Sequence, residues 1–166
     1  MIPPSYKPLS EKKLRKFYGD EISYNDFVKL AKDLESEGLN LYIGTDSQEF
    51  NKTITVVTCI AFYKNGIPKS SIFYFKDRIS RKSMPNLKAR MTMEAFQSVQ
   101  VAMEMGEIYS GEIEVHLDIG YSEKRSKTFL FKKELEQLVE SQGYKCETKP
   151  NSWASSTIAD RLSKVE

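Results

Sequence analysis

Four carboxylates occupy positions in this sequence that suit metal-assisted chemistry, beginning with Asp46 and Asp118. Asp46 ends an apolar stretch at residues 41–46, and Asp118 ends another at 113–118. Both stretches have the composition of short buried strands. On adjacent parallel strands these acids would face one point in the crevice where α/β sheets place ligands. Two unpaired carboxylates at such a short distance repel each other unless a cation or a proton lies between them. The pair therefore predicts a metal ion. The alternative is that Asp46 is a turn residue bonded to its own backbone.

Glu94 is the most unusual of the four acids, and Asp160 is the least. The helix predicted over residues 86–105 carries an apolar stripe, and Glu94 falls in the middle of that stripe. Burying an unpaired carboxylate costs folding free energy, so Glu94 needs a metal ion, a partner or an opening to solvent. The alternative is a structural ion pair with an arginine. Asp160 lies off the apolar stripe of the last helix, and taken alone it is interpreted as a surface acid.

Basic residues are concentrated in two runs, although 25 Lys and Arg against 23 Asp and Glu leave a net charge of only +2. Residues 76–90 hold six basic side chains and one acid, and residues 124–133 hold five basic side chains and no acid. Charge runs are usually solvated faces, but two on a balanced chain also favour a groove for a polyanion. The candidate substrate-binding residues are Arg78, Arg81, Lys82, Lys88 and Arg90, with Ser47 and Gln48 beside Asp46 as further contacts or simply turn caps.

The only histidine and the only tryptophan each allow two interpretations. His116 lies two residues before Asp118 and therefore shares its face of the strand. It either supports a metal-binding carboxylate or transfers a proton, or it is a core histidine. Trp153 either stacks on a base or anchors the terminal helix.

Hydrophobic periodicity predicts the elements that must position these residues. We expect helices near residues 10–18 and 23–37, then strands at 41–46, 53–64 and 71–75 with a turn at 65–66. A helix at 86–105, a strand at 113–118, a helix at 127–142, a strand at 144–149 and a helix from residue 154 complete the order. This order predicts an α/β fold with a mixed five-stranded sheet, its first three strands antiparallel and strands 1, 4 and 5 parallel.

Length and composition set the broad class. A chain of 166 residues suits one domain, with residues 1–37 as an N-terminal helical extension and 38–166 as the core. With 40% hydrophobic and 29% charged residues it is not a disordered or low-complexity chain. No apolar run approaches the ~18 residues of a membrane span. Cys59 and Cys146 lack metal-site spacing, and the first residues lack the layout of a secretion signal, so we expect a cytoplasmic protein.

The order of the four acids along these elements resembles that of the ribonuclease H-like superfamily. Within it, segments 43–48 (IGTDSQ), 116–120 (HLDIG), 149–154 (KPNSWA) and 159–160 (AD) are similar to the YkuK-type family of predicted nucleases. The resemblance covers roughly residues 38–165. It implies two divalent cations, magnesium or manganese, with Asp46 bridging both, Glu94 and Asp118 on one, and Asp160 on the other.

The resemblance therefore implies a metal-dependent nuclease, with RNA or an RNA/DNA hybrid as the favoured substrate. Nucleic acid is the expected partner, and its backbone would lie along residues 76–90. A non-catalytic nucleic-acid-binding module on the same fold is the alternative. An actin-like nucleotide-phosphate enzyme would need a second phosphate loop and a far longer chain. The sequence leaves open the exact nucleic acid, the mode of cleavage and the oligomeric state.

Overall fold

A computed structural model describes residues 6–67, 70–120 and 127–164. Its strands are β1 (Arg15–Lys16), β2 (Asn40–Phe50), β3 (Thr53–Tyr63), β4 (Ser71–Ser80), β5 (Ile113–His116) and β6 (Lys145–Glu147). Its α-helices are α1 (Tyr24–Ser36), α2 (Leu87–Ile108), α3 (Lys132–Glu140) and α4 (Asp160–Ser163). A π-helical segment, Ala154–Ala159, leads directly into α4, and 3₁₀ turns cover Leu9–Glu11, Arg81–Ser83 and Thr128–Phe131. No helix within these described ranges is both long enough and apolar enough to cross a membrane.

The strands form one mixed sheet in the order β1-β4-β3-β2-β5-β6. The β2–β3 and β3–β4 pairs are antiparallel, whereas β5 lies parallel to both β2 and β6. The predicted architecture is therefore confirmed, including the adjacency of the two strands that lead to Asp46 and Asp118. The sheet has six strands rather than five because β1 is added at the β4 edge.

The prediction of a helix near residues 10–18 is wrong. Residues Leu9–Glu11 form a 3₁₀ turn, and β1 then pairs with β4 through Arg15 opposite Tyr74 and Lys16 opposite Phe73. The edge of a sheet offers a row of unpaired backbone hydrogen-bonding groups. Pairing of β1 with the β4 edge therefore determines the structure of this segment, in spite of its helical spacing of apolar residues. The helix predicted at 23–37 is confirmed as α1, which Ser23 caps by accepting a hydrogen bond from the Asp26 amide at 3.1 Å.

The two faces of the sheet are covered very differently. The α1, α2 and α3 helices bury one face in the main core, with Phe27, Phe62 and Phe73 among its largest side chains. Among the described residues, the opposite face, here called the distal face, packs against the C-terminal segment through Ala159 and Leu162, with Phe17 also in contact. Directly opposed residues of antiparallel strands project from the same face. By that rule the distal face carries the cross-strand rows Gly44–Cys59–Tyr74, Asp46–Val57–Lys76 and Gln48–Thr55–Arg78.

Gly44 allows the C-terminal segment to lie against β2. A Cβ atom at Gly44 would stand 2.4 Å from the Ser155 backbone nitrogen and 2.6 Å from the Ala154 carbonyl carbon. Only a residue without a side chain tolerates that approach. The contact places the π-helical segment beside β2, two residues from Asp46. Such segments recur at functional sites.

Candidate active site

Asp46 lies at the centre of the site, in β2 on the distal face, with 5% of its surface exposed. Its Oδ2 atom accepts hydrogen bonds from the Ser163 hydroxyl at 2.9 Å and from the Gln48 side-chain amide at 3.2 Å. The same amide donates to Oδ1 of Asp160 at 3.3 Å. Gln48 therefore connects the acid of the central strand to the acid that begins α4.

Glu94 reaches the site from α2 and is buried, as its helical position predicted. Its Oε2 atom accepts a hydrogen bond from the Ser47 hydroxyl at 2.5 Å. Arg90 in turn donates to the Ser47 carbonyl at 2.8 Å and to the Ser47 hydroxyl. Within the described part of the chain Glu94 forms no ion pair at contact distance. Arg90 contacts it through Ser47, and the Arg90 charge also favours the ionised form of Glu94.

Asp118 follows β5 and is held by groups from the C-terminal part of the chain. Its Oδ1 atom lies 2.9 Å from the Lys149 ammonium and accepts a hydrogen bond from the Ser156 hydroxyl at 3.1 Å. Asp160 is held in a similar way, since its Oδ2 atom lies 3.0 Å from the Lys164 ammonium. Each of the two outer acids thus has a lysine partner, whereas the two buried acids have neutral partners.

The carboxylates act on one another electrostatically, which shows that they share one region. Burial raises the pKa of Asp46 to about 7, helped by the charge of Asp118 and, less strongly, of Asp160; the hydrogen bonds from Ser163 and Gln48 oppose the shift. Burial, followed by the charges of Asp46 and Asp118, also raises the pKa of Glu94 well above its usual range. Two buried acids that both resist ionisation are a frequent property of functional sites.

The donor set fits a hard divalent cation. All four acids present oxygen atoms, the ligands that Mg²⁺ and Mn²⁺ prefer, and a cation would offset the burial and the repulsion that raise the pKa of Asp46. In the side-chain conformations of residues 6–67, 70–120 and 127–164, no three His, Cys, Asp or Glu side chains are arranged to hold a metal ion. The four carboxylates accept hydrogen bonds from serine, glutamine and lysine donors instead.

The structure divides the predicted basic run between different surroundings. Arg78 extends from the distal face in the same cross-strand row as Gln48, and both residues line a cavity of about 610 Å³ next to the carboxylates. Arg81 instead pairs with Glu49 at 2.6 Å, and Lys88 pairs with Glu134 at 3.1 Å. Lys82 is exposed in the 3₁₀ turn, away from the lining of that cavity. In the second predicted run, residues 124–126 lie outside the described part of the chain.

His116 has the surroundings of a structural residue. It is 1% exposed, and burial lowers its pKa to about 4, which keeps the ring neutral at physiological pH. Its Nδ1 atom accepts a hydrogen bond from the Ala154 amide at 3.1 Å, so the proton is on Nε2, which lies 3.3 Å from Glu114 Oε1. The ring therefore joins β5 to the start of the π-helical segment.

Trp153 packs into an aromatic cluster at the same place. Its ring centroid lies 4.8 Å from that of Tyr42, 5.2 Å from that of His116 and 6.1 Å from that of Tyr63. These contacts favour the anchoring interpretation of Trp153.

Sequence reasoning singled out Ser47 and Gln48 but missed the other partners of the acids. Ser163 and Lys164 follow Asp160 by three and four residues, a spacing that places them on one side of a helix and could have indicated them. Lys149 had no such local signal, because its contact with Asp118 depends on how the chain returns after β6.

The comparisons with known proteins agree with this geometry. A family model described as "Ribonuclease H-like" matches residues 23–164, which include α1 through α4, every strand of the sheet except β1, and all four acids. The match begins at α1, earlier than the residue-38 boundary suggested by the motifs. Neither a search of curated proteins nor a search of solved structures finds a significant match. On its sheet topology and on a family match over most of its length, this chain belongs to the ribonuclease H-like family.

Proposed function

We propose that this protein is a metal-dependent nuclease that hydrolyses phosphodiester bonds of RNA or of an RNA/DNA hybrid. One observation carries the proposal: Asp46 and Glu94 are buried together, and burial and the charges of the neighbouring acids oppose their ionisation. A fold gains no stability from like charges collected in this way, whereas a cation-dependent site requires them. The family match supports the same chemistry.

In this proposal Asp46, Glu94, Asp118 and Asp160 hold two Mg²⁺ or Mn²⁺ ions. Such ions supply Lewis acidity and a water of lowered pKa when they are bound. The chain itself supplies orientation: Ser47 and Arg90 fix Glu94, while Ser163 and Gln48 fix Asp46. Thr45 adds to this by hydrogen bonding Ser98 at 2.7 Å, which fixes β2 to α2 directly beside the site.

Positive side chains near the carboxylates would attract the phosphate backbone of the substrate. Lys149 and Lys164 lie at Asp118 and Asp160, and Arg78 lies at the adjoining cavity. Charge-assisted contacts of this kind give affinity that is independent of sequence. We place the activity in the cytoplasm because both cysteines are free thiols, which suits a reducing compartment.

A cleavage assay tests the proposal. End-labelled single-stranded RNA, single-stranded DNA and RNA/DNA hybrid are incubated with purified protein in Mg²⁺, in Mn²⁺ and in EDTA. We expect cleavage of the RNA-containing substrates with either ion and none in EDTA. Asp46→Asn should abolish it, and Asp33→Asn, at an exposed position on α1, should not.

Two outcomes would contradict the proposal. Equal cleavage by wild type and Asp46→Asn would place the activity elsewhere or in a contaminant. Binding of nucleic acid without cleavage under any metal condition would show the non-catalytic module instead.

A further inference from the structure

The cavity of about 610 Å³ beside the carboxylates is a second feature of the site, and the two-metal chemistry makes no use of it. It lies between the turn of the β2–β3 hairpin and the end of α4, and we call it the hairpin cavity. Its volume falls within the roughly 300–1,000 Å³ of sites that hold small organic ligands, so one nucleotide fits. The residues of its lining that matter here are Gln48, Phe50, Thr55, Arg78, Ser163 and Lys164. The lining also includes one acid, Glu49, whose charge is paired with Arg81 at 2.6 Å.

We propose that the hairpin cavity binds an unpaired nucleotide next to the scissile phosphate, so that the enzyme prefers single-stranded nucleic acid to a duplex or hybrid. The inference rests on the proposed function, because the carboxylates define where the scissile phosphate lies. It goes further by naming the form of the substrate and the residues that select it.

The cavity is continuous with the carboxylates. Gln48 and Ser163 line it, and both donate hydrogen bonds to Oδ2 of Asp46. Gln48 also contacts Asp160. A strand with one phosphate at these acids therefore extends its neighbouring nucleotide directly into the cavity.

The charge of the cavity suits a phosphate group. Arg78 is exposed on its wall and forms no ion pair with any residue of the described ranges. Lys164 is also exposed, and exposed ion pairs such as its contact with Asp160 contribute little and exchange readily. Burial and then the charges of Arg78 and Arg15 lower the pKa of Lys76, which shows that basic side chains are concentrated on this part of the distal face. A guanidinium without a carboxylate partner is a strong phosphate ligand.

An aromatic ring at the rim suits a base. Phe50 ends β2 and is 72% exposed, although phenylalanine is usually buried. The turn that follows is tight, with Asn51 in the left-handed region at a φ of 55°, so it holds Phe50 at the edge of the cavity. An exposed ring stacks on an unpaired base, whereas the face of a base within a duplex is already covered by its neighbours.

Binding measurements test the selection of unpaired nucleotides. Fluorescence anisotropy is measured with Asp46→Asn protein, which prevents turnover, on a labelled 12-nucleotide oligouridine and on the same strand paired with oligodeoxyadenosine. We expect tighter binding of the single strand. Adding Phe50→Ala should weaken single-strand binding by about 5- to 150-fold, the usual range for one stacked base, and Phe50→Trp should restore it.

Matched controls separate the cavity from general surface effects. Tyr18→Ala removes a ring that is 93% exposed on the β1 side of the molecule and should leave affinity unchanged. Arg78→Ala should lower the slope of log affinity against log salt by about 0.7, one phosphate contact on a single strand, and Lys32→Ala, exposed on α1, should not. Free uridine monophosphate should compete only at far higher concentration than the 12-mer.

The subsite and the proposed function fail in different ways. Equal affinity for single strand and hybrid, with no effect of Phe50→Ala, would overturn the subsite even if the wild-type protein cleaves. Uridine monophosphate that binds as tightly as the 12-mer would overturn it in favour of a mononucleotide site. Loss of cleavage in every metal, with Phe50-dependent single-strand binding intact, would overturn the nuclease proposal and leave the subsite standing.

Discussion

The two ends of β2 bury polar groups on the same face of the sheet, but they do so with opposite electrostatics. At one end Tyr42 and Glu114 surround His116, a neutral ring whose two nitrogens both have partners. At the other end burial and the neighbouring acids Asp118 and Asp160 raise the pKa of Asp46. A buried ring that stays neutral with both nitrogens partnered stabilises a fold, whereas collected like charges reduce its stability. This electrostatic difference distinguishes the structural cluster around His116 from the candidate active site around Asp46, although both lie along one strand.

Gly44 lies between the two ends and makes each depend on the other. The C-terminal segment starts at the aromatic cluster, where Ala154 binds His116, passes over Gly44, and then delivers Asp160 and Ser163 to the carboxylates. The structural end therefore sets the position of the functional end. Variants at each point should separate the two contributions.

The largest effect is expected at Asp46. Asp46→Asn should reduce cleavage by more than the roughly 10–100-fold loss that is typical when residues behind a metal site are removed. The metal-free variant should be as stable as wild type or more stable, by on the order of 1–4 kcal/mol at pH 8, because a charge repelled by its neighbours is gone. Kinetics and urea unfolding of the same preparation measure both quantities. A large loss of stability would show that Asp46 is structural.

A second variant should affect both ends of β2 at once. Gly44→Ala places a Cβ atom against the Ser155 backbone, which must move. We expect a loss of about 1–3 kcal/mol, as for other overpacked positions, together with reduced cleavage, because Asp160 and Ser163 are displaced. Thermal unfolding and cleavage assays check this. Gly66→Ala is the control, because a Cβ atom at Gly66 would meet no atom within 4 Å. Its φ of +87° adds backbone strain, so this variant should lower stability without a selective loss of cleavage.

The pH dependence of stability should have opposite signs at the two ends of β2. The pKa of Asp46 is raised in the folded state to about 7, so its stabilising contribution is complete below about pH 4 and is lost as pH rises to 7. The pKa of His116 is lowered to about 4, so its contribution is complete above about pH 6.5 and is lost as pH falls toward 4.

Unfolding of metal-free protein between pH 4 and 8 measures both slopes. The difference between wild type and Asp46→Asn should fall with rising pH, and the difference between wild type and His116→Asn should rise. Slopes of the same sign would show that the two ends do not differ in the way proposed.

The smallest effect is expected at Trp153. Its ring contacts Tyr42, His116 and Tyr63, so Trp153→Phe should cost about 1 kcal/mol of stability through lost aromatic packing. Nucleic-acid affinity should change less than twofold in fluorescence anisotropy. A loss of affinity comparable to that of Phe50→Ala would show instead that Trp153 binds a base.

Features that depend on periodicity were predicted well. The burial of Glu94 followed from the helical spacing of α2, and the adjacency of β2 and β5 followed from the order of strands and helices. The acids themselves could be found because a carboxylate on an apolar face or at a strand end contradicts its surroundings.

Features that depend on long-range contacts were not predicted. The β1 strand is two residues long and exists only through its pairing with β4. The sequence pattern predicts that the third strand ends at residue 75, whereas β4 continues to Ser80. The alternation of side chains along the longer strand places Lys76 and Arg78 on the distal face and Asp77 on the other. Without that strand, the run at 76–90 resembles a single basic surface.

The central claim is that Asp46, Glu94, Asp118 and Asp160 bind divalent cations together. Anomalous diffraction at the manganese edge, from crystals grown without metal and then soaked in MnCl₂, tests it most directly. The account predicts anomalous peaks bounded by these four carboxylates in wild-type crystals, and their loss in Asp46→Asn crystals soaked in parallel. Peaks only at other surface acids, or peaks at the cluster that persist unchanged in Asp46→Asn, would contradict it.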